Sequence, residues 1–150
     1  MIRADGSPWA PLISMPETAR KQLERVANNS ETAAGAHYFL GRLAKQEDNL
    51  PEAERELQQA VAANSNFPDG LSELAHVHIR MQNYMAAGKE LVRALQMEPG
   101  NFRANANLLI LYQKTKDPRA AEQQVKFEEI KKKRSEDEQL LWRSIEVRPY

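Results

Sequence analysis

The chain has 150 residues, 41% of them hydrophobic and 28% charged, and its 21 basic and 21 acidic side chains give a formal charge of zero. That balance exerts no net pull towards a phosphate backbone or an anionic bilayer. The lack of cysteine removes disulfides, thiolate zinc sites and cysteine nucleophiles.

Residues 1–14 contain Pro8 and Pro11 and read as an extended segment whose Trp9, Leu12 and Ile13 are available to cover a neighbouring helix or another copy. The segment has no signal-peptide run, and no later stretch nears the ~20 apolar residues that span a bilayer. A soluble protein, or a soluble part of a longer one, is expected; its compartment stays open, with cytoplasm favoured. Ser14-Met15-Pro16-Glu17 then has the form of a capping box, so residues 15–33 are predicted to hold one helix carrying Ala19, Leu23 and Val26.

From that helix onward a period of 34 governs the chain. Ala19, Ala53, Ala87 and Ala121 recur at this spacing, as do Leu23, Leu57, Leu91 and Val125. Residues 34–67, 68–101 and 102–135 therefore align as three units, each read as two helices of about 13 residues. In the first helices Leu40, Leu74 and Leu108 coincide, followed by Gly41, Ala75 and Leu109 and then by Leu43, Val77 and Leu111. His37, Leu40, Gly41 and Ala44 fall at i, i+3, i+4 and i+7, which one helical face satisfies and a strand does not. The second helices are predicted to start at Leu50, Tyr84 and Pro118, capped by Asn49, Asn83 and Asp117, with Pro51 and Pro118 in their first turns. Pro99-Gly100-Asn101 closes the middle unit. After 135, Ser135-Glu136-Asp137-Glu138 has the form of another capping box. A short terminal helix over about 136–147 is expected, within a last segment of 136–150, with Leu140, Leu141, Trp142 and Ile145 covering the end of the array. One unbroken helix from Pro118 to Val147 is the alternative.

These columns resemble the tetratricopeptide repeat (TPR) family over about 34–135, best in the middle unit through Leu71, Leu74, Ala75, Tyr84, Ala87, Leu91, Ala94 and Pro99. His37 and Asn105 depart from the family's usual Trp, Ala44 and His78 from its Tyr, and Glu128 from its Ala. The resemblance implies an all-α superhelical solenoid with an N-terminal half-repeat over 15–33, whose missing partner helix makes the array look truncated or capped there. It also implies a non-catalytic protein-binding scaffold whose first helices line a groove. That groove would present Tyr38, Phe39, Arg42 and Lys45 from the first unit. Ser72, Glu73, His76, Ile79 and Arg80 would follow from the second, and Arg103, Asn107, Ile110 and Lys114 from the third. A mixed, modestly basic surface of this kind suits a peptide or helix with apolar anchors and some acidic character. The clamp by which one TPR subclass holds acidic chaperone tails is not reproduced. Tyr38, Arg42, Glu73, Arg103 and Asn107 occupy its places, and only Arg103 keeps the expected charge.

No chemistry competes with this reading. His76 and His78 are two residues apart on a helix, about 200° around its axis, and do not face one metal. No phosphate loop or nucleophile motif occurs, and runs such as Glu52-Ala53-Glu54-Arg55-Glu56 read as solvated faces. The basic run Lys131-Lys132-Lys133-Arg134 is flanked by carboxylates and reads as a salt-bridged helix. No catalysis, metal or cofactor is expected, and neither nucleic acid nor membrane as partner. The alternatives are a recruitment module of a larger enzyme or secretion machine, and a self-associating protein using the half-repeat or the Trp9 segment.

Overall fold

The computed structural model describes residues 10–145. Among them are seven α-helices and no strand: α1 (Ala10–Ala27), α2 (Ala33–Gln46), α3 (Leu50–Ala63), α4 (Pro68–Arg80), α5 (Tyr84–Met97), α6 (Phe102–Lys114) and α7 (Ala120–Ile145). Side-chain caps start three of them. Asn49, Asn83 and Asn101 each accept a hydrogen bond from the backbone N–H three residues on, at 3.4, 3.4 and 2.8 Å. The turns that end α2, α4 and α6 share one design. Asp48, Gln82 and Lys116 take φ of 60°, 63° and 54°, and the following N–H returns to the carbonyl five residues back, from Asn49 to Ala44, Asn83 to His78 and Asp117 to Tyr112. This left-handed closure ends each helix without glycine.

Two buried clusters form the core. One gathers Tyr38, Ala44, Ala53, Leu57, Ala60, Leu74 and Val77; the other gathers Leu71, Ala75, Ile79, Ala87, Leu91, Ala94, Ala104 and Leu111. The fully buried Leu57, Leu71 and Leu91 each contribute about 1.5–3 kcal/mol by leaving water. Small residues permit this packing. A Cβ added at Gly41 would stand 2.5 Å from Leu57 Cγ and 3.3 Å from the Ala53 carbonyl, so α2 and α3 cross in near contact of backbone and side chain.

The ends depart from the expectations. α1 already begins at Ala10, so residues 10–14 are helical and not extended, and Ser14 is not a cap. Pro11 falls in the first turn, where its missing N–H costs nothing. Trp9 and the rest of 1–9 lie outside the described residues. α1 packs on α2, and Arg20 joins it to the hairpin by ion pairs with Glu47 and, at 3.0 Å, Glu52. Ala19 is nonetheless exposed, because the helix that would pack on its other side is missing from the described residues.

α7 departs further. It starts at Ala120, two residues later than predicted, after a turn in which the Ala120 N–H returns to the Asp117 carbonyl at 3.1 Å, while the Asp117 side chain accepts from the Arg119 N–H at 2.9 Å and pairs with the Arg119 guanidinium. Asp117 is thereby held down at about 2 by its Arg119 hydrogen bonds, which also raise Arg119. Gln123 is buried and Ala120, Phe127 and Ile130 are half-buried, whereas Ala121 and Val125 are exposed. The packing face has therefore turned by one residue, about 100°. The cause is in the column of small residues. Leu109 stands where Gly41 and Ala75 allow close approach, and a leucine there keeps α7 from the position that α3 and α5 take. Contact between α6 and α7 is correspondingly less extensive than in the other hairpins.

A buried amide pair holds the turned register. Gln123 Nε2 donates to the Asn105 carbonyl and to its Oδ1, both at 3.1 Å, while Asn105 Nδ2 donates to the carbonyls of Pro99 and Asn101. α7 then continues unbroken to Ile145, so no separate helix begins near 136. Leu140, Leu141, Trp142 and Ile145 are exposed and do not form the expected lid, although Leu141 borders a cleft with Gly100, Phe102 and Ile130. Helix formers fill the stretch, and Ser135 lies inside a helix already running, where a capping box has nothing to cap.

Candidate interaction groove

α4 lies close to both α2 and α6, whereas among the described residues the backbones of α3, α5 and α7 stay apart from one another. First helices that approach one another more closely than the second helices do place α2, α4 and α6 side by side on one face of the array. Burial then sorts the predicted groove. Phe39, Arg42, Lys45, His76, Arg80, Arg103, Ile110 and Lys114 retain exposure on these helices. Tyr38, Ser72, Glu73, Ile79 and Asn107 are buried and are corrections to the predicted surface. Neighbouring first helices approach closely enough to enclose the stripe at the edge of each packing face. Ile79 consequently joins the second core cluster, and Ile110 packs against it from its rim.

The buried polar residues of the stripe are satisfied internally. Asn107 Nδ2 donates to the Ser72 carbonyl at 2.8 Å, fastening α6 to α4, and Ser72 Oγ donates to the Pro68 carbonyl. Glu73 lies between two cations, Lys45 of α2 and Arg103 of α6, the latter at 2.6 Å. Carboxylate and cations thus tie three consecutive first helices across the floor of the groove. Pairing leaves Arg103 partly committed to Glu73. Arg80 is similarly paired with Asp48. His76 lies 3.2 Å from Lys45 Nζ, and burial first, then the Lys45 charge, lowers its pKa; Arg80 acts in the same direction while Glu73 opposes.

The groove's first-unit end has a different character. The Tyr38 and Phe39 rings meet edge-on at 5.3 Å, and Tyr38 packs on Phe67 at 5.1 Å. The Arg42 guanidinium lies 5.6 Å from the Tyr38 ring centre and 6.0 Å from that of Phe39, cation–π range for both. Burial raises the Tyr38 hydroxyl pKa above its ordinary value, against the lowering by Arg103. Phe39 is 51% exposed. Beside it a cleft of about 580 Å3 opens between α1 and α2, lined by Leu23, Val26, Phe39, Arg42 and Leu43 among others. Sequence columns marked Leu23 and Val26 as packing residues, and only the pairing of α1 with α2 places them at the groove's end.

The other two histidines serve the scaffold. His37 Nδ1 meets Glu56 at 2.6 Å. His78, buried, bridges three helices through Glu54 of α3 at 2.9 Å and Glu90 of α5 at 2.8 Å; the Glu90 hydrogen bond raises its pKa most, against burial. No group of three potential metal ligands occurs among the described residues, and no helix there is long and apolar enough to cross a membrane.

No family model matches the chain, and no curated protein matches it. Solved structures do. A crystal structure of MamA superposes with a TM-score of 0.64 at 25% identity, over 85% of this chain and 73% of that one. A second MamA crystal structure gives a TM-score of 0.66 at 24% identity, over 92% of this chain and 72% of that one. The chain has a tetratricopeptide-like helical solenoid fold. Solenoids of this kind expose long concave surfaces and work as interaction scaffolds, their stability coming from neighbour-to-neighbour packing.

Proposed function

We propose that this protein is a non-catalytic adaptor that takes a segment of a partner protein along the face shared by α2, α4 and α6. The observation that carries the reading is the first-unit end of the groove. There exposed Phe39 and the Arg42 guanidinium stand over an apolar cleft walled by Leu23, Val26 and Leu43. An aromatic and cationic rim around an apolar hollow anchors one large apolar side chain and favours a carboxylate next to it. Along the groove, Ile110 and Lys114 offer a second, weaker pair of the same kind, while the buried Glu73 is neutralised by Lys45 and Arg103. The partner segment is therefore apolar with some acidic character.

Affinity capture from cells of the source organism tests this with three forms of the chain. They are the intact protein, a Phe39→Ala, Arg42→Ala variant, and a Gln58→Ala, Gln59→Ala variant altered on the exposed side of α3. Tyr38 is left in place because it belongs to the core. A partner held by the intact and α3-altered forms and lost from the groove variant is the expected result. Equal retention by all three overturns the assignment.

A further inference from the structure

A larger cleft lies away from the groove, between α5 and α6. It measures about 840 Å3, with Met85, Val92, Leu108, Leu111 and Tyr112 among its walls and Lys89 and Arg93 at its edge. One repeat earlier the same place is filled. There His78 reaches Glu54 on one side and Glu90 on the other. Thirty-four residues on, these three positions hold Tyr112, Gly88 and Gln124. A Cβ added at Gly88 would meet only Leu111 Cδ2, at 3.8 Å, so the glycine leaves room where a glutamate stood. The turn of α7 removes the second wall. Met85 is 76% exposed as a result, and Val92 54%.

The same chain carries a surface that complements this cleft. The last turns of α7 expose Leu140, Leu141, Trp142 and Ile145, with Trp142 at 71%. Glu136 and Asp137 precede them, opposite in sign to Lys89 and Arg93, while Glu138 is paired with Arg134 at 3.3 Å and Arg143 lies among the apolar residues. Within one molecule the two cannot meet. Asp117 and Arg119, which line one end of the cleft, stand just before α7, and Leu140 lies 20 residues beyond its first residue, about 30 Å along a continuous helix. Contact therefore requires two molecules.

We propose that the 136–145 stretch of α7 docks in the α5/α6 cleft of a second copy, so that copies associate head to tail. The occupant lays Leu141, Trp142 and Ile145 against Met85, Val92 and Tyr112, and sets its acidic turn against Lys89 and Arg93. Such a contact joins two different surfaces and leaves one of each unused on every pair, so it builds assemblies larger than a dimer, open chains or closed rings. This surface is separate from the partner groove, and its failure would leave the groove reading untouched.

Sedimentation velocity on the full chain tests it, with far-UV circular dichroism and melting curves to verify folding. The intact protein is expected to gain mass with concentration beyond a dimer, and less so at high salt. A tail variant, Leu141→Asp with Trp142→Asp, and a cleft variant, Met85→Asp with Val92→Asp, are each expected to stay monomeric. Mixed in equal amounts they should form a dimer and nothing larger, since only one intact cleft and one intact tail remain per pair. Should the cleft variant fail to fold, Lys89→Glu with Arg93→Glu mixed with Glu136→Lys and Asp137→Lys reads the same contact by charge exchange. An intact protein that stays monomeric at the highest attainable concentration overturns the proposal, and that is also the outcome if the cleft receives a different protein. Association retained by either single-surface variant, or no dimer in the mixture, overturns it as well.

Discussion

Replacing Gly41 with alanine puts the close crossing of α2 and α3 under direct test. The added Cβ would stand 2.5 Å from Leu57 Cγ, 3.0 Å from its Cδ2 and 3.3 Å from the Ala53 carbonyl. Leu57 is fully buried, and its Cγ is a branch point with no freedom to swing aside. Two effects oppose each other. Alanine is favoured over glycine in a helix by about 1 kcal/mol, while overpacking a core costs about 1–3 kcal/mol. A contact at 2.5 Å belongs at the upper end of that range, so the net loss is about 1–2 kcal/mol. Gly35 in the same helix provides the reference, because an added Cβ there meets nothing within 4 Å. Gly35→Ala should gain up to about 1 kcal/mol, the propensity effect alone. Urea or thermal unfolding of the two variants is then expected to separate them by about 2–3 kcal/mol, or several degrees in Tm. A Gly41→Ala protein as stable as the Gly35→Ala protein would refute the tight crossing. It would also remove the explanation given for Leu109 and the turned α7.

Two further outcomes follow from the buried polar groups. His78 is held above its ordinary pKa of 6.5 by Glu90 and Glu54, so its contribution is full below that value and is lost as pH rises through the raised one. His76 is shifted the other way by burial, Lys45 and Arg80, against Glu73; its contribution is present above 6.5 and is lost as pH falls through the lowered value. The urea midpoint of the parent minus that of His78→Asn should therefore shrink towards alkaline pH, and the difference for His76→Asn should shrink towards acid. Differences that stay flat with pH in both would contradict the shifts. At the third hairpin, Asn105→Leu or Gln123→Leu alone leaves a buried amide short of partners, at about 1–3 kcal/mol. The double leucine variant is expected to lose less than the two single losses summed, read in the same unfolding assay. Strict additivity would mean that the amide pair does not set the register of α7.

How much was legible before any coordinates differs from element to element. The hairpins of α2 with α3 and α4 with α5 were readable because each rests on local facts: an apolar stripe at helical spacing, an asparagine ahead of the second helix, and a small residue at the crossing. Asp48, Gln82 and Lys116 gave no sign of their left-handed backbone, since glycine or asparagine is the usual mark and closure of the turn imposes the conformation instead. The groove was half legible. Offsets along a helix name the stripe beside the packing face, but they do not say how near the next first helix lies. That distance buried Tyr38, Ser72, Glu73, Ile79 and Asn107 while leaving Phe39, Arg42 and Lys114 outside.

The 34-residue period is a property of the chain alone. It determines the helical class, the hairpins and the faces that must leave water, because a repeated spacing of small and large apolar residues has one compact solution. Whether each helix reaches its place in that solution depends on volumes meeting in three dimensions. Leu109 kept every helical preference intact and yet excluded α7 from its column, and Gly88 satisfied the helix while opening a cleft beside Tyr112. Pattern is set by order along the chain, whereas fit is set between residues far apart in it. That is why the two surfaces proposed for association came into view only with the tertiary structure.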